Sequence, residues 1–220
     1  MTTASVAEFV DQSGEPAVRG FLHTPDESIG DALLLTHGAG ANCESKLLVA
    51  LSVEFARAGF TVLRCDLPFR QVRRFGPPFP AAAERDRDGI RRALAALRDQ
   101  TKGRIFAGGH SYGGRQASML IAEEPGLADG LLLLAYPLHP PRKPEQLRTA
   151  HFPKIQRPAL FVYGARDPFA SLAEMRSALE LIPAAKVLLE IEGAGHELFG
   201  KKASDDLTEK IVKAFQEFYR

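Results

Sequence analysis

Apolar positions along the chain fall into two alternating rhythms. Short continuous apolar runs occur at Ala32 to Thr36, Thr61 to Leu63, Arg104 to Ala107, Gly130 to Ala135, Ala159 to Tyr163 and Lys186 to Ile191. Runs of this length without polar alternation suit strands covered on both faces. Between them lie longer stretches in which apolar residues recur every three or four positions. Glu44 to Ala58 carries Leu47, Leu48, Leu51, Phe55 and Ala58 and is closed by Gly59. The same period predicts helices over Ala83 to Arg98, Tyr112 to Glu123, Leu172 to Leu181, and from about Ser204 to Phe218. Pro125 and Gly126 stop the helix that begins at Tyr112, and Ser204-Asp205-Asp206 supplies a start signal for the last one.

Strand and helix alternating in this way predict the α/β class, a mostly parallel central sheet with helices on both faces. Ahead of the first such unit, Val18 to His23 and Ala7 to Val10 flank the turn signal Asp11-Gln12-Ser13-Gly14 and predict a hairpin at one sheet edge. Two stretches lack a regular period: Pro68 to Pro80, with four prolines and three arginines, and Pro137 to Pro158, with six prolines. Both follow strands, and ligands of open α/β sheets bind beyond the carboxyl ends of strands. They are candidate walls of a site. At 220 residues the chain is expected to form a single domain over residues 1–220.

Composition narrows the choice of partner. A formal charge of +1 offers no global field for gathering nucleic acid or an anionic membrane. No run reaches the length of a membrane span, and Met1 to Glu15 lacks the pattern of a secretion signal, so a soluble, cytoplasmic protein is expected. Cys43 and Cys65 are too few for a disulfide framework and lie in no zinc-binding spacing. Neither a metal nor a nucleotide cofactor is implied: phosphate-cradling and dinucleotide glycine patterns are both missing. Oligomeric state stays open, with no coiled-coil pattern.

Chemistry concentrates in Gly109-His110-Ser111-Tyr112-Gly113, between a strand and a helix. A sharp turn there would expose the Ser111 hydroxyl as a nucleophile. The glycines around it clear space for the turn. A serine hydroxyl needs a base, and His196, in the glycine loop Gly193-Ala194-Gly195-His196 after the last strand, fills that role. The base needs a carboxylate to orient it, and Asp167 follows the strand ending at Tyr163. Asp66 is a reserve acid, disfavoured because it precedes the serine. Negative charge developing on a substrate oxygen would be met by the backbone N–H groups of Tyr112 and Ala39, the latter in His37-Gly38-Ala39-Gly40. His37 is expected to brace that loop, and His110 to pack facing away from the serine. Arg70, Arg73, Arg74, Arg142 and Arg148 make the irregular stretches basic, which would suit an acidic substrate or merely face solvent. Phe69, Phe75, Phe79, Tyr136 and Phe169 either line a pocket or close the core.

From Ala32 to the C-terminus these motifs, together with Leu63-Arg64-Cys65-Asp66-Leu67-Pro68-Phe69 and Gly164-Ala165-Arg166-Asp167-Pro168, resemble the α/β-hydrolase fold. The resemblance is to its small, nearly capless branch, related to dienelactone hydrolases and the KANL/TEX-type predicted hydrolases. It implies Ser111 as nucleophile, Asp167 as acid, His196 as base, and the Ala39 and Tyr112 amides as an oxyanion hole. The activity expected is a serine hydrolase acting on a small carboxylic ester or thioester through an acyl-enzyme, without cofactor. Amide cleavage, or a noncatalytic interaction module on the same fold, are the alternatives.

Overall fold

The computed structural model describes residues 4–199 and 206–220. Its centre is an eight-stranded sheet in the order β1-β2-β4-β3-β5-β6-β7-β8. The strands are β1 (Ala4–Asp11), β2 (Val18–Pro25), β3 (Ala32–Thr36), β4 (Thr61–Cys65), β5 (Ile105–His110), β6 (Gly130–Leu134), β7 (Ala159–Gly164) and β8 (Lys186–Ile191). Pairing is parallel from β4 to β8, while β1 and β2 form the expected antiparallel hairpin at one edge.

The continuous apolar runs hide a two-residue alternation. Leu33 and Leu35 of β3 face one core cluster and Leu34 the other; in β6, Leu132 and Leu134 oppose Leu131 and Leu133 in the same way. Each strand therefore feeds two cores, which is why it shows no polar face. One face is covered by α1 (Lys46–Arg57) and α6 (Asp206–Phe218), the other mainly by α3 (Ala83–Arg98), α4 (Tyr112–Glu123) and α5 (Leu172–Leu179). On α6, Leu207, Ile211 and Phe215 recur at helical spacing. They drive Phe215 edge-on against Phe55, Phe60 and Phe106, with ring centroids 5.1, 5.6 and 4.8 Å away.

Three expectations are corrected. The strand ending at Leu63 runs on to Cys65, because the buried Arg64 is satisfied: its Nε donates to His23 Nε2 at 2.9 Å and its Nη1 to the Cys43 carbonyl at 2.9 Å. The strand ending at Ala107 continues through Gly108-Gly109-His110, paired on both sides by β3 and β6. Pro68 to Pro80 is not wholly irregular, since Pro68–Val72 forms the short helix α2 with proline in its first turn. The predicted start at Ser204-Asp205 lies outside the described residues. Register aligns the carboxyl ends of the parallel strands: Thr36 pairs with Cys65 and Gly109, His110 with Leu134, and Gly164 with Ile191. The segments that leave these ends all open onto one side of the molecule.

Candidate active site

Four of those segments carry the predicted site residues. Ser111 follows β5 directly, with φ 51° and ψ −113°. This is a left-handed conformation that a side chain disfavours by roughly 1–3 kcal/mol. The surroundings impose it: Ser111 N–H donates to the Leu134 carbonyl at 2.8 Å, and Gly113 N–H to the His37 carbonyl at 3.1 Å. The turn is tight enough that a Cβ on Gly113 would lie 2.5 Å from Thr36 Oγ1 and 2.6 Å from the His37 oxygen. Glycine is required there by close approach, as the sequence implied.

His196 is brought back over the serine by the loop after β8. Its Nε2 lies 2.8 Å from Ser111 Oγ and its Nδ1 2.8 Å from Asp167 Oδ2. With the proton on Nδ1, the ring donates to the carboxylate and accepts from the hydroxyl. The second carboxylate oxygen accepts the Phe169 N–H at 2.8 Å, so the acid is fixed by its own turn. Phe169 lies against the imidazole, with centroids 4.2 Å apart. Three residues spread over 85 positions of sequence thus form one chain of hydrogen bonds.

Ala39 and Tyr112 sit at the mouth of the same cavity as Ser111. Among the described residues, neither backbone N–H donates to a protein carbonyl. Tyr112 opens α4, where an N–H has no intrahelical acceptor and the helix dipole favours negative charge. Its side chain is held away by the buried Asp86, whose carboxylate accepts the Tyr112 hydroxyl at 2.7 Å and the Phe69 N–H at 2.9 Å. Burial pushes the Asp86 carboxyl above the usual carboxylate range, and those two hydrogen bonds oppose it.

His37 braces the glycine loop as expected: Nδ1–H donates to the Gly38 carbonyl at 2.8 Å, and Nε2 accepts Leu67 N–H at 3.0 Å. Burial holds its proton affinity below the ordinary value, in keeping with a neutral acceptor. The reserve acid Asp66 accepts Cys43 N–H at 2.7 Å and lies 3.5 Å from His37 Nε2, whereas the carboxylate that meets His196 Nδ1 is that of Asp167. His110 does more than pack. Its Nε2–H donates to the His196 carbonyl at 2.8 Å, fixing the backbone of that residue.

The basic loop is reassigned. Arg70 is buried, and its guanidinium donates to the carbonyls of Ala39, Ala41, Arg73 and Gly76 at 2.7–3.1 Å. It locks the loop that presents the Ala39 amide. Arg73 donates to the Pro77 carbonyl and covers Phe79, while Arg74 covers Phe75. Of the aromatic candidates, Phe79 and Phe169 line the cavity, Phe69 and Tyr136 belong to the core, and Phe75 is exposed. The cavity holds about 490 Å³ and also admits Arg115, Gln116 and Arg148 to its wall. In the sequence Arg115 only extends the motif around Ser111 and Gln116 is only a helix position, because nothing in a helical period says which polar face meets a cavity.

Among the described residues, no helix is long and apolar enough to cross a membrane. Several solved structures share the fold. A dienelactone hydrolase from Anabaena variabilis superposes with a TM-score of 0.79 at 21% identity, covering 99% of this chain and 100% of that one. An alpha-beta serine hydrolase homologue from Coxiella burnetii gives 0.75 at 15% identity over 94% and 96% of the two chains. A serine hydrolase without a lid from Xanthomonas campestris gives 0.70 at 15% identity over 98% and 94%. A sequence model of the alpha/beta hydrolase domain matches residues 30–219, nearly the whole chain. The chain belongs to the alpha/beta hydrolase domain family, and is a hydrolase by that membership.

Proposed function

We propose that residues 1–220 form one serine hydrolase domain that cleaves a small carboxylic ester or thioester through an acyl-enzyme. The observation that carries this reading is the strained Ser111 with its hydroxyl 2.8 Å from His196 Nε2, itself backed by Asp167. A fold that spends backbone strain on presenting one hydroxyl to a base is arranged for attack on a carbonyl carbon. Ser111 Oγ forms the new bond as its proton passes to His196 Nε2. The carbonyl oxygen becomes an oxyanion, held by the Ala39 and Tyr112 N–H groups. Collapse expels the alcohol or thiol, which leaves with the proton from His196. Water then attacks the acyl-serine with the same base, releasing the acid and restoring Ser111. The open cavity of about 490 Å³ suits a small substrate.

The test is whole-protein mass after brief exposure to activated short-chain and aromatic esters. A mass gain equal to the acyl group, decaying as acid is released, is expected for the folded protein. A folded sample that forms no adduct and releases no product from esters or amides would overturn the reading in favour of a binding module.

Arg70 offers a second check, as a positioning residue for the Ala39 loop. Arg70→Lys keeps the charge but cannot reach four carbonyls. It is expected to lower kcat about tenfold or more, toward the loss seen on removing an oxyanion donor, with KM changed little. An equal loss confined to KM would place Arg70 in substrate binding instead.

A further inference from the structure

Part of the cavity wall is cationic. Arg115 and Gln116 stand in the first turns of α4, and Arg115 N–H donates to the Ser111 carbonyl at 2.9 Å, which ties its position to the nucleophile. Arg148 arrives from the long irregular segment. It is anchored by its own N–H to the Leu138 carbonyl at 2.8 Å, by the Tyr136 hydroxyl donating to its carbonyl at 2.6 Å, and by Nη1 donating to the Pro137 carbonyl at 3.2 Å. All three side chains line the same cavity as Ser111.

These groups are short of acceptors. Gln116 is fully buried; its Oε1 accepts Arg87 Nη1 at 3.1 Å, and its Nε2 is buried with no partner among the described residues. Arg115 Nε is buried and likewise unpartnered. Some arginines of the chain, Arg57, Arg85, Arg91, Arg92, Arg104 and Arg176, each meet a carboxylate, while the buried Arg70 is satisfied by four carbonyls. Among the described residues, neither Arg115 nor Arg148 meets a carboxylate. Burial lowers the proton affinity of Arg148, and the field of Arg115 lowers it further. His151, beside Arg115, is held at about 4 by burial and then by the same guanidinium, so it stays neutral and adds no charge. Two cations thus share a partly desolvated wall with a buried amide donor. Cations taken partly out of water favour a partner of opposite charge, and the open side of the cavity lined by Arg115 and Arg148 is where an anion would meet their guanidiniums.

We infer that the site takes an ester bearing a carboxylate, gripped by Arg115 and Arg148, while the ester carbonyl lies at Ser111. Guanidinium forks match a planar carboxylate. Phe79, Met119 and Phe169 supply apolar surface for the hydrocarbon between the two ends. Of the basic residues in the irregular stretches, Arg148 lines this cavity, whereas Arg73 is engaged with the Pro77 carbonyl and Phe79 and Arg74 with Phe75. The inference rests on the serine-hydrolase reading for its catalytic half only.

Two measurements separate the two. First, kcat/KM is compared for matched pairs: p-nitrophenyl hemiglutarate against p-nitrophenyl valerate, and 4-acetoxybenzoate against phenyl acetate. One pair places the carboxylate on the acyl side, the other on the alcohol side. At least one carboxylated member is expected to be favoured tenfold or more, and Arg148→Gln or Arg115→Gln to bring that ratio toward one while thermal unfolding shows a folded protein. Second, glutarate binding to Ser111→Ala is followed by calorimetry. It is expected to weaken at least tenfold on adding Arg148→Gln and to be partly kept by Arg148→Lys. Turnover of neutral esters without preference, and no glutarate binding, would overturn the carboxylate site and leave the hydrolase reading standing. Absence of turnover and adduct with glutarate still bound would do the reverse. Preference for a matched phosphorylated ester would overturn the choice of carboxylate.

Discussion

Replacing Ser111 by alanine is expected to abolish acyl-adduct formation and to lower kcat on an activated ester by about 10⁴-fold or more. Losing the nucleophile of such a hydrogen-bonded set costs a serine hydrolase up to about 10⁶ in kcat, the remainder coming from binding and oxyanion contacts. The hydroxyl stands 2.8 Å from His196 Nε2, and among the described residues no second serine is hydrogen-bonded to that ring. Ser118 is hydrogen-bonded to His151, but its hydroxyl donates to the Arg115 carbonyl inside α4, and the residue is buried. The strained backbone provides a second readout. At φ 51° an alanine keeps the Cβ penalty, whereas glycine relieves it. Ser111→Gly is therefore expected to be as inactive as Ser111→Ala yet more stable than it by about 1 kcal/mol, the relief being partly offset by glycine's extra freedom when unfolded. Urea unfolding of the two variants measures the difference. Equal stability would mean that the turn stores no strain at this residue, and retained activity in either variant would remove Ser111 from the chemistry.

Most of the sheet was legible because apolar continuity reports burial on both faces, and helical period reports the covering layers. What escaped was polar. Arg64 ended a predicted strand early because hydropathy counts its charge and not its bonds to His23 and Cys43. Arg70 read as a basic surface residue, while in the fold it is the buried clamp on the Ala39 loop. The site itself was more legible than its supports. A glycine-flanked serine at a strand-to-helix junction, an acid and a histidine each just after a later strand, are local patterns, and parallel strands with aligned carboxyl ends bring such positions together. Which helix face looks into the cavity depends on how α4 sits on the sheet, a long-range property, so Gln116 carries no local signal and Arg115, at the end of the motif around Ser111, none for the cavity. His110 is the intermediate case: its place beside Ser111 is plain in the sequence, but its bond to the His196 carbonyl requires the loop after β8 to close over it.

The same buried histidines make acid the weak direction of this fold. His23 is 1% exposed, and its Nε2 accepts Arg64 Nε–H at 2.9 Å, so protonation both breaks that bond and sets two cations together. Burial, then Arg64, holds it at about 4; burial, then Arg115, holds His151 at about 4 as well. His37 and His110 are shifted down by burial in the same sense. In the unfolded chain each histidine titrates near its ordinary 6.5, so between pH 6.5 and 4 the unfolded state binds protons that the folded state refuses. Stability must then rise with pH across this window and be lost as pH falls through it. At about 1.4 kcal/mol per pH unit for each histidine, His23 and His151 remove on the order of 2–3 kcal/mol apiece by pH 4, against a typical total of about 5–15. The protein is expected to be fully stable near pH 7 and to approach unfolding at pH 4 to 5. His23→Gln isolates one contribution, since its amide oxygen can still accept from Arg64 but binds no proton. Urea midpoints taken from pH 4.5 to 7.5 should show the variant's stability falling less steeply than wild type, by about 1.4 kcal/mol per pH unit in the middle of the window. Parallel curves for the two proteins would show that His23 is charged in the fold, and that Arg64 is held in β4 by the Cys43 carbonyl and the Phe21 ring without it.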